Sequence, residues 1–162
     1  MERNNVKTQY LTMAGLIAAI YVVLTFVAQS AGLASGAIQF RISEVLTILP
    51  MFTTAAIPGL TVGCVLANIL TGCALWDVVF GSFATFLGAL GTHLLRKTGN
   101  PYLGCIPPIL SNMLIVPAVL MKVYGAAESY WYLMLTVGIG EIVCCGVLGV
   151  IFYKLVKKRK LL

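Results

Sequence analysis

Three of the chain's five carboxylates, Glu44, Asp77 and Glu141, lie inside or beside long apolar stretches. A charged side chain in the hydrocarbon of a membrane is costly, so such residues usually serve a function there. Glu141 is the clearest case, because its run, residues 131–152, contains only one tyrosine and one threonine besides it as strongly polar side chains. The sequence therefore predicts a membrane protein with a polar site in its interior.

Other polar residues are predicted to gather near the same, outer face of the protein. If the chain has six membrane-spanning helices, their loops and ends bring this set together: Gln39, Arg41, Glu44, Asn68, Trp76, Asp77, Asn112 and Glu141. Carboxylates and amides suit a small, flat, polar ligand, and Trp76 or a tyrosine could stack on its ring. One carboxylate can accept both N–H donors of a guanine-like edge, and a protonated amine would need a second carboxylate.

Several of these residues also have purely structural explanations. Arg41 and Glu44, three residues apart at a helix start, could pair with each other. Asp77 could cap the fourth helix, since Asp is a favoured N-cap residue. Asn68 and Asn112 could bond one helix to another. Glu141 alone has no such explanation.

Two further residues are predicted at the membrane–water interface rather than in a site. Trp76 lies near a helix end, where tryptophan is commonly an interfacial residue. His93 precedes Arg96 by three residues at the other end of a helix, and interface placement is favoured there over a proton relay. No phosphate loop, zinc-ligand spacing or nucleophile–base arrangement is present, so no catalytic site, metal or cofactor is predicted.

The elements that must position these residues are helices, since 60% of the residues are hydrophobic and 10% are charged. We predict one integral membrane domain, residues 1–162, with six spans at residues 8–28, 42–56, 60–75, 78–95, 103–123 and 130–156. The first span is too long for a signal-peptide core. Pro50 predicts a kink, residues 57–59 a turn, and the three prolines between residues 107 and 117 an interrupted fifth span.

The charge pattern predicts that both termini are cytoplasmic. With six spans, nine of the eleven basic residues fall on one side, and only Arg41 and Lys122 fall on the other. This is the positive-inside pattern, and it argues against nucleic acid as the partner of this basic chain. The five cysteines have no CxxC spacing and are interpreted as small packing residues.

Small residues recur every four positions in the first span, at Ala14 and Ala18 and at Gly15 and Ala19. Such spacing lets helix backbones approach closely. This face could pack inside the bundle or form a docking surface for another membrane protein.

Six strings, in chain order, resemble the QueT family. They are residues 38–44 (IQFRISE), 56–60 (AIPGL), 66–68 (LAN), 75–82 (LWDVVFGS), 107–112 (PPILSN) and 136–141 (TVGIGE). The resemblance implies a six-helix S component, the substrate-binding subunit of an energy-coupling-factor (ECF) importer, in a bacterial cell membrane. It implies no enzyme activity in this chain, because two cytoplasmic ATPases and a membrane coupling protein would drive transport.

The resemblance also implies a ligand and a docking face. The ligand would be a queuosine precursor, such as 7-aminomethyl-7-deazaguanine, 7-cyano-7-deazaguanine or queuine. Glu141 or Asp77 would accept the guanine edge, and Glu44 or the remaining carboxylate would meet the amine. Ala14, Gly15 and Ala18 would dock onto the coupling protein. The alternatives are a solitary secondary transporter, an S component for another vitamin, and a small intramembrane enzyme using Glu141 and Asp77.

Overall fold

The computed structural model describes residues 2–33 and 39–159, with side chains from residue 5 onward. Within these ranges the chain is all-helical, without strands, as predicted. We number the six helices in chain order: α1 (Glu2–Ser30), α2 (Ile42–Met51), α3 (Ala56–Leu70), α4 (Leu75–Leu94), α5 (Pro101–Val123) and α6 (Tyr130–Arg159). Four of them, α1, α4, α5 and α6, are long and apolar enough to cross a membrane.

The second and third helices are shorter than the spans predicted for them. The ten-residue α2 is a 3-10 helix that ends just after Pro50 instead of kinking there and continuing to residue 56. At rises of about 2.0 and 1.5 Å per residue, α2 and α3 are each about 20 Å long, shorter than the ~30 Å hydrocarbon layer. The turn predicted at residues 57–59 is wrong. The chain turns earlier, and Pro58 occupies the first turn of α3, where no N–H is needed.

The fifth helix is continuous, although its prolines predicted an interruption. Pro108 has no N–H to give to the carbonyl of Gly104, four residues earlier. Thr92 of α4 donates to that carbonyl instead, with Oγ1 2.7 Å from the oxygen. A hydroxyl on a neighbouring helix therefore satisfies the group that the proline leaves unpaired.

Contacts between distant residues place the beginning of α1 and the end of α6 at the same end of the bundle. The beginning of α1 contacts the turn after α2. The last turn of α2 contacts the end of α4, and the turn that follows α4 contacts the end of α6. Three contacts show this: Tyr10 Oη to Thr54 O (3.5 Å), His93 Nδ1 with Pro50 O (3.0 Å) and Tyr153 Oη to Gly99 O (3.3 Å). We call this the basic end, and the opposite end the cavity end.

The charges divide between these two ends as the sequence predicted. Seven basic side chains within the described residues lie toward the basic end: Lys7, Arg96, Lys97, Lys154, Lys157, Lys158 and Arg159. Arg41 and Lys122 lie toward the cavity end, and Arg3 and Lys160 fall outside the described side chains. The cytoplasmic location of the basic end stays a prediction.

Small residues bring α1 and α3 into backbone contact. A Cβ atom added to Gly63 would lie 3.0 Å from the Ala18 Cα atom, and one added to Gly59 would lie 2.8 Å from the Ala14 carbonyl oxygen. Ala14 and Ala18 therefore pack inside the bundle, one of the two interpretations that the sequence left open. Gly15 faces outward and has no atom within 4 Å of an added Cβ.

This packing predicts opposite effects for two glycine-to-alanine substitutions in transmembrane helices. Gly63→Ala forces α1 and α3 apart, and overpacking of this kind costs about 1–3 kcal/mol. Gly15→Ala meets open space and gains helix propensity, so it leaves stability unchanged or slightly higher. Thermal unfolding of both variants in the same detergent tests this. Equal unfolding midpoints for the two variants would contradict the packing described here.

Candidate functional site

A cavity of about 390 Å³ opens at the cavity end, among α1, α2, α3, α4 and α5. Four of the predicted site residues line it: Gln39, Arg41, Asn68 and Asp77. The other lining residues are Thr25, Ala28, Gln29, Phe40, Ser43, Thr71, Cys73, Val116, Leu120 and Tyr124. The structure thus brings together half of the residues that the sequence singled out.

Arg41 crosses from the start of α2 to α3. Its Nη2 atom donates to Asn68 Oδ1 at 3.1 Å and lies 3.9 Å from Cys64 Sγ. Asn68 in turn directs Nδ2 toward the carbonyl oxygen of Asp77, 3.4 Å away. Arg41 is therefore positioned by Asn68, rather than by the pairing with Glu44 that their spacing would allow.

Asp77 lies in the first turn of α4, because that helix begins at Leu75 and not at residue 78. The N-cap residue is Ala74, so the capping role considered for Asp77 is wrong. The Asp77 carboxylate accepts a hydrogen bond from the Tyr124 hydroxyl (3.2 Å), and that hydroxyl accepts one from the Ala74 N–H (3.0 Å). Tyr124 thereby ties the start of α4 to the end of α5 at the cavity.

Glu44 and Glu141 lie together in the interior, in a group that we call the carboxylate cluster. Their side chains are 0% and 4% exposed, and Tyr21 donates a hydrogen bond to Glu44 Oε1. Cys145 Sγ lies 3.1 Å from Glu141 Oε2. One oxygen of each carboxylate and the Cys145 sulfur lie within 4.8 Å of one another. Two carboxylates this close attract a cationic group.

Part of the hydrogen-bonding capacity of the carboxylate cluster is unused. Within the described residues, Glu44 Oε2 and both side-chain polar atoms of Asn112 are buried without a hydrogen-bond partner. The Asn112 amide lies near enough to both carboxylates to stabilise their charge, although no hydrogen bond forms by distance. An unpaired buried polar group costs about 1–3 kcal/mol. Asn112 therefore does not form the bond between helices that the sequence also allowed.

The carboxylate cluster lies about one helical turn below the cavity. Tyr21 is four positions, or about one helical turn, before Thr25, which lines the cavity. Asn112 is likewise four positions before Val116, which also lines it. Four also separate Glu141 from Val137, which lines a second cavity of about 190 Å³. Because Gln39 and Leu120 line both cavities, the two spaces adjoin. One turn corresponds to about 5.4 Å, a short step from the cavity floor to the carboxylates.

Trp76 is the predicted site residue that the structure places elsewhere. It is 59% exposed, stacks on Phe80 with ring centroids 5.8 Å apart, and lines a groove on the outer surface between α4 and α5. This position fits the interfacial role that the sequence also allowed. The aromatic side chains that line the cavity are Phe40 and Tyr124.

Sequence reasoning missed several residues of the site. Cys145 follows Glu141 by four residues, a helical spacing that could have identified it as a neighbour. Phe40 stands between two predicted site residues and could have been included on that basis. Tyr21 and Tyr124 carried no such signal, since their partners, Glu44 and Asp77, are 23 and 47 residues away.

A seven-residue π-helical segment, Ile142–Leu148, begins directly after Glu141. The wider turn carries Cys145, which donates to Glu141 and lies 3.4 Å from the Glu44 carbonyl oxygen. Such segments are rare and are frequent at functional sites. This irregular segment of α6 therefore adjoins the carboxylate cluster.

Comparison with known proteins agrees with this architecture. A family model described as QueT transporter matches residues 11–158. The Queuosine precursor transporter QueT of Lactococcus lactis subsp. cremoris (strain MG1363) is 34% identical over 98 residues, which cover 59% of this chain and 57% of that protein. The match thus spans little more than half of the relative's length. No solved structure matches the chain.

The family match includes most of α1, all of α2 to α5 and nearly all of α6. Together with four apolar helices long enough to cross a bilayer, it identifies a multi-pass protein of the cell membrane. The chain belongs to the QueT transporter family.

Proposed function

We propose that this chain is the substrate-binding S component of an ECF importer and that its substrate is a queuosine precursor, a 7-deazaguanine. The observation that carries the proposal is a cavity lined by amide and charged side chains, one helical turn above two buried carboxylates. Family membership and the name of the Lactococcus relative support the substrate class.

The size and lining of the cavity fit such a ligand. Small-molecule sites commonly enclose about 300–1,000 Å³, and the cavity lined by Gln39, Arg41, Asn68 and Asp77 encloses about 390 Å³. Phe40 and Tyr124 supply aromatic faces for a planar ring, a role that the sequence analysis gave to Trp76 or a tyrosine. Gln39, Arg41 and Asn68 supply donors and acceptors for its polar edge.

The positions of the three carboxylates favour a division of roles among them. Glu44 and Glu141 lie together, so we propose that both act on the ammonium group of the ligand. Asp77 lines the cavity above them and, in this proposal, accepts the two N–H donors of the guanine edge. Asn68 would contact the remaining polar atoms of the ring, and Asn112, expected from the sequence to do the same, lies beside the two carboxylates and would contact the ammonium group.

Transport itself would depend on partner proteins. We propose, from the family resemblance, that a membrane coupling protein and two cytoplasmic ATPases provide the driving force; the sequence contains no nucleotide-binding motif, which fits this division of work. The charge asymmetry favours a cytoplasmic basic end and an outward-facing cavity. With Ala14 and Ala18 packed against α3, the exposed small residues Gly15 and Ala19 remain on α1 for docking.

Substitution of Glu141 tests the ligand site. We expect Glu141→Gln to weaken binding of 7-aminomethyl-7-deazaguanine at least tenfold, because a carboxylate contact to an ammonium becomes a neutral amide contact. Lys97→Gln, an exposed position at the basic end, also removes one charge but lies far from both cavities, so this control should bind normally. Isothermal titration calorimetry on the purified proteins measures both. Unchanged affinity for Glu141→Gln would contradict its assignment.

A thermal-stabilisation panel tests the substrate class. A bound ligand raises the unfolding midpoint in proportion to its affinity and concentration. We therefore expect stabilisation by at least one 7-deazaguanine and none by vitamins that other S components carry. Stabilisation by a vitamin alone would refute the proposed substrate while leaving the proposed transport class intact.

A bulky side chain at position 15 tests docking onto the coupling protein independently of ligand binding. We expect Gly15→Leu to bind the ligand normally but to lose most ATP-dependent uptake, because its side chain would block close approach of another helix. Val147→Phe enlarges a position on α6 that is also exposed and should transport normally. Uptake by the unmodified chain in cells without the coupling protein would identify a solitary transporter instead.

A further inference from the structure

We propose that Glu44 and Glu141 share a single proton in the ligand-free protein and release it when the ammonium group of a cationic 7-deazaguanine binds between them. This inference rests on the proposed function and deepens it. It explains how the site could distinguish a cationic precursor, such as the aminomethyl compound, from a neutral one, such as the cyano compound.

The first step of the argument is the distance between the two carboxylates. One oxygen of Glu44 and one of Glu141 lie within 4.8 Å, and both side chains are almost completely buried. Two negative charges at this separation repel strongly when little water screens them. Two carboxyl groups that share a site in this way retain one proton between them.

The second step is the set of charged and titratable groups around the pair. Tyr21 faces it from α1, Arg41 from α2, and Cys144 and Cys145 from α6. Cys64 of α3 and Asp77 of α4 act on Arg41. Within the described residues, Arg41 is the one permanent cation that faces the pair. Its single positive charge faces Asp77 as well as Glu44, so it cannot compensate two negative charges on the pair.

Charge balance then gives a defined exchange. In the ligand-free protein, the singly protonated pair carries one negative charge. When the ammonium group enters, the pair loses its proton to solvent and carries two negative charges. One positive charge enters as one leaves, so the exchange does not change the net charge of the site, whatever Arg41 and Asp77 contribute to it. A low-dielectric interior disfavours any added net charge.

Unused acceptors provide the contacts that an ammonium group requires. An alkylammonium has three N–H donors. Glu44 Oε2 and Asn112 Oδ1 are buried without partners, and the Glu141 carboxylate lies beside them. A neutral nitrile offers no such donors and brings no charge, so the pair would keep its proton when the cyano compound binds.

Proton release makes affinity for the cationic ligand depend on pH. Binding that expels one proton becomes about tenfold tighter for each unit of increase in pH, as long as the ligand-free pair holds its proton and the amine remains charged. Affinity for the neutral cyano compound should not change over the same range.

Calorimetry on the unmodified full chain tests the exchange. Titration with the aminomethyl compound in two buffers of the same pH but different ionisation enthalpies gives the number of protons released, which we expect to be about one. The cyano compound should release none. Equal proton release on binding of the two compounds, or no release with either, would overturn the inference. Binding in that experiment would still support the proposed function.

Infrared spectroscopy provides a test that does not depend on the ligand class. At neutral pH, the ligand-free protein should show the C=O stretch of a buried carboxylic acid, and the variant with both Glu44→Gln and Glu141→Gln should lack it. Glu128→Gln should retain it as the matched control. Absence of this band from the unmodified protein would overturn the shared proton, whichever compound binds. Failure of every 7-deazaguanine to bind would refute the proposed function, and with it the exchange.

Discussion

The burial of Glu44 and Glu141 at one point inside an apolar bundle is the constraint on which the rest of the structure depends. Charged groups in a membrane interior must be surrounded by protein groups that replace water. Tyr21, Arg41, Asn112 and Cys145 come from four different helices to provide those groups. The helices must therefore converge at this depth, and the carboxylate cluster acts as the polar centre of an otherwise hydrophobic fold.

Close backbone packing makes that convergence possible. Gly59 and Gly63 let α3 lie directly against α1, the helix that carries Tyr21. On the other side, Gly88 and Gly91 of α4 accommodate Pro108 and Pro107 of α5, since an added Cβ atom would come within 2.6 and 2.5 Å of them. The same contact allows Thr92 to satisfy the carbonyl that Pro108 leaves unpaired. Small residues and prolines, which weaken isolated helices, here set the distances between them.

The two short helices explain why a cavity forms where it does. Because α2 and α3 do not extend the full thickness of a bilayer, the longer helices enclose space at one end. Arg41 and Asn68 line that space, and Glu44 lies on the next turn of α2. In the proposed importer, this arrangement leads a polar ligand from a solvated cavity toward a buried counter-charge. The basic end lies at the opposite side of the bundle, and in the proposed importer its charge would set the orientation in the membrane.

The sequence by itself determined the class of the protein. Long apolar runs, a one-sided distribution of basic residues and carboxylates in apolar stretches are local properties that composition and spacing reveal. They predicted an all-helical membrane protein and named most of the residues of the proposed site. The start of α4 was predicted three residues too late, so the capping role considered for Asp77 was wrong.

Only the tertiary structure decided which residues meet. The Tyr21–Glu44 hydrogen bond, the removal of Trp76 from the cavity and the internal packing of Ala14 and Ala18 depend on how each helix is rotated. Close packing between helices sets that rotation. The sequence cannot predict it, because in a helix that is apolar all round the hydrophobic pattern distinguishes no single face.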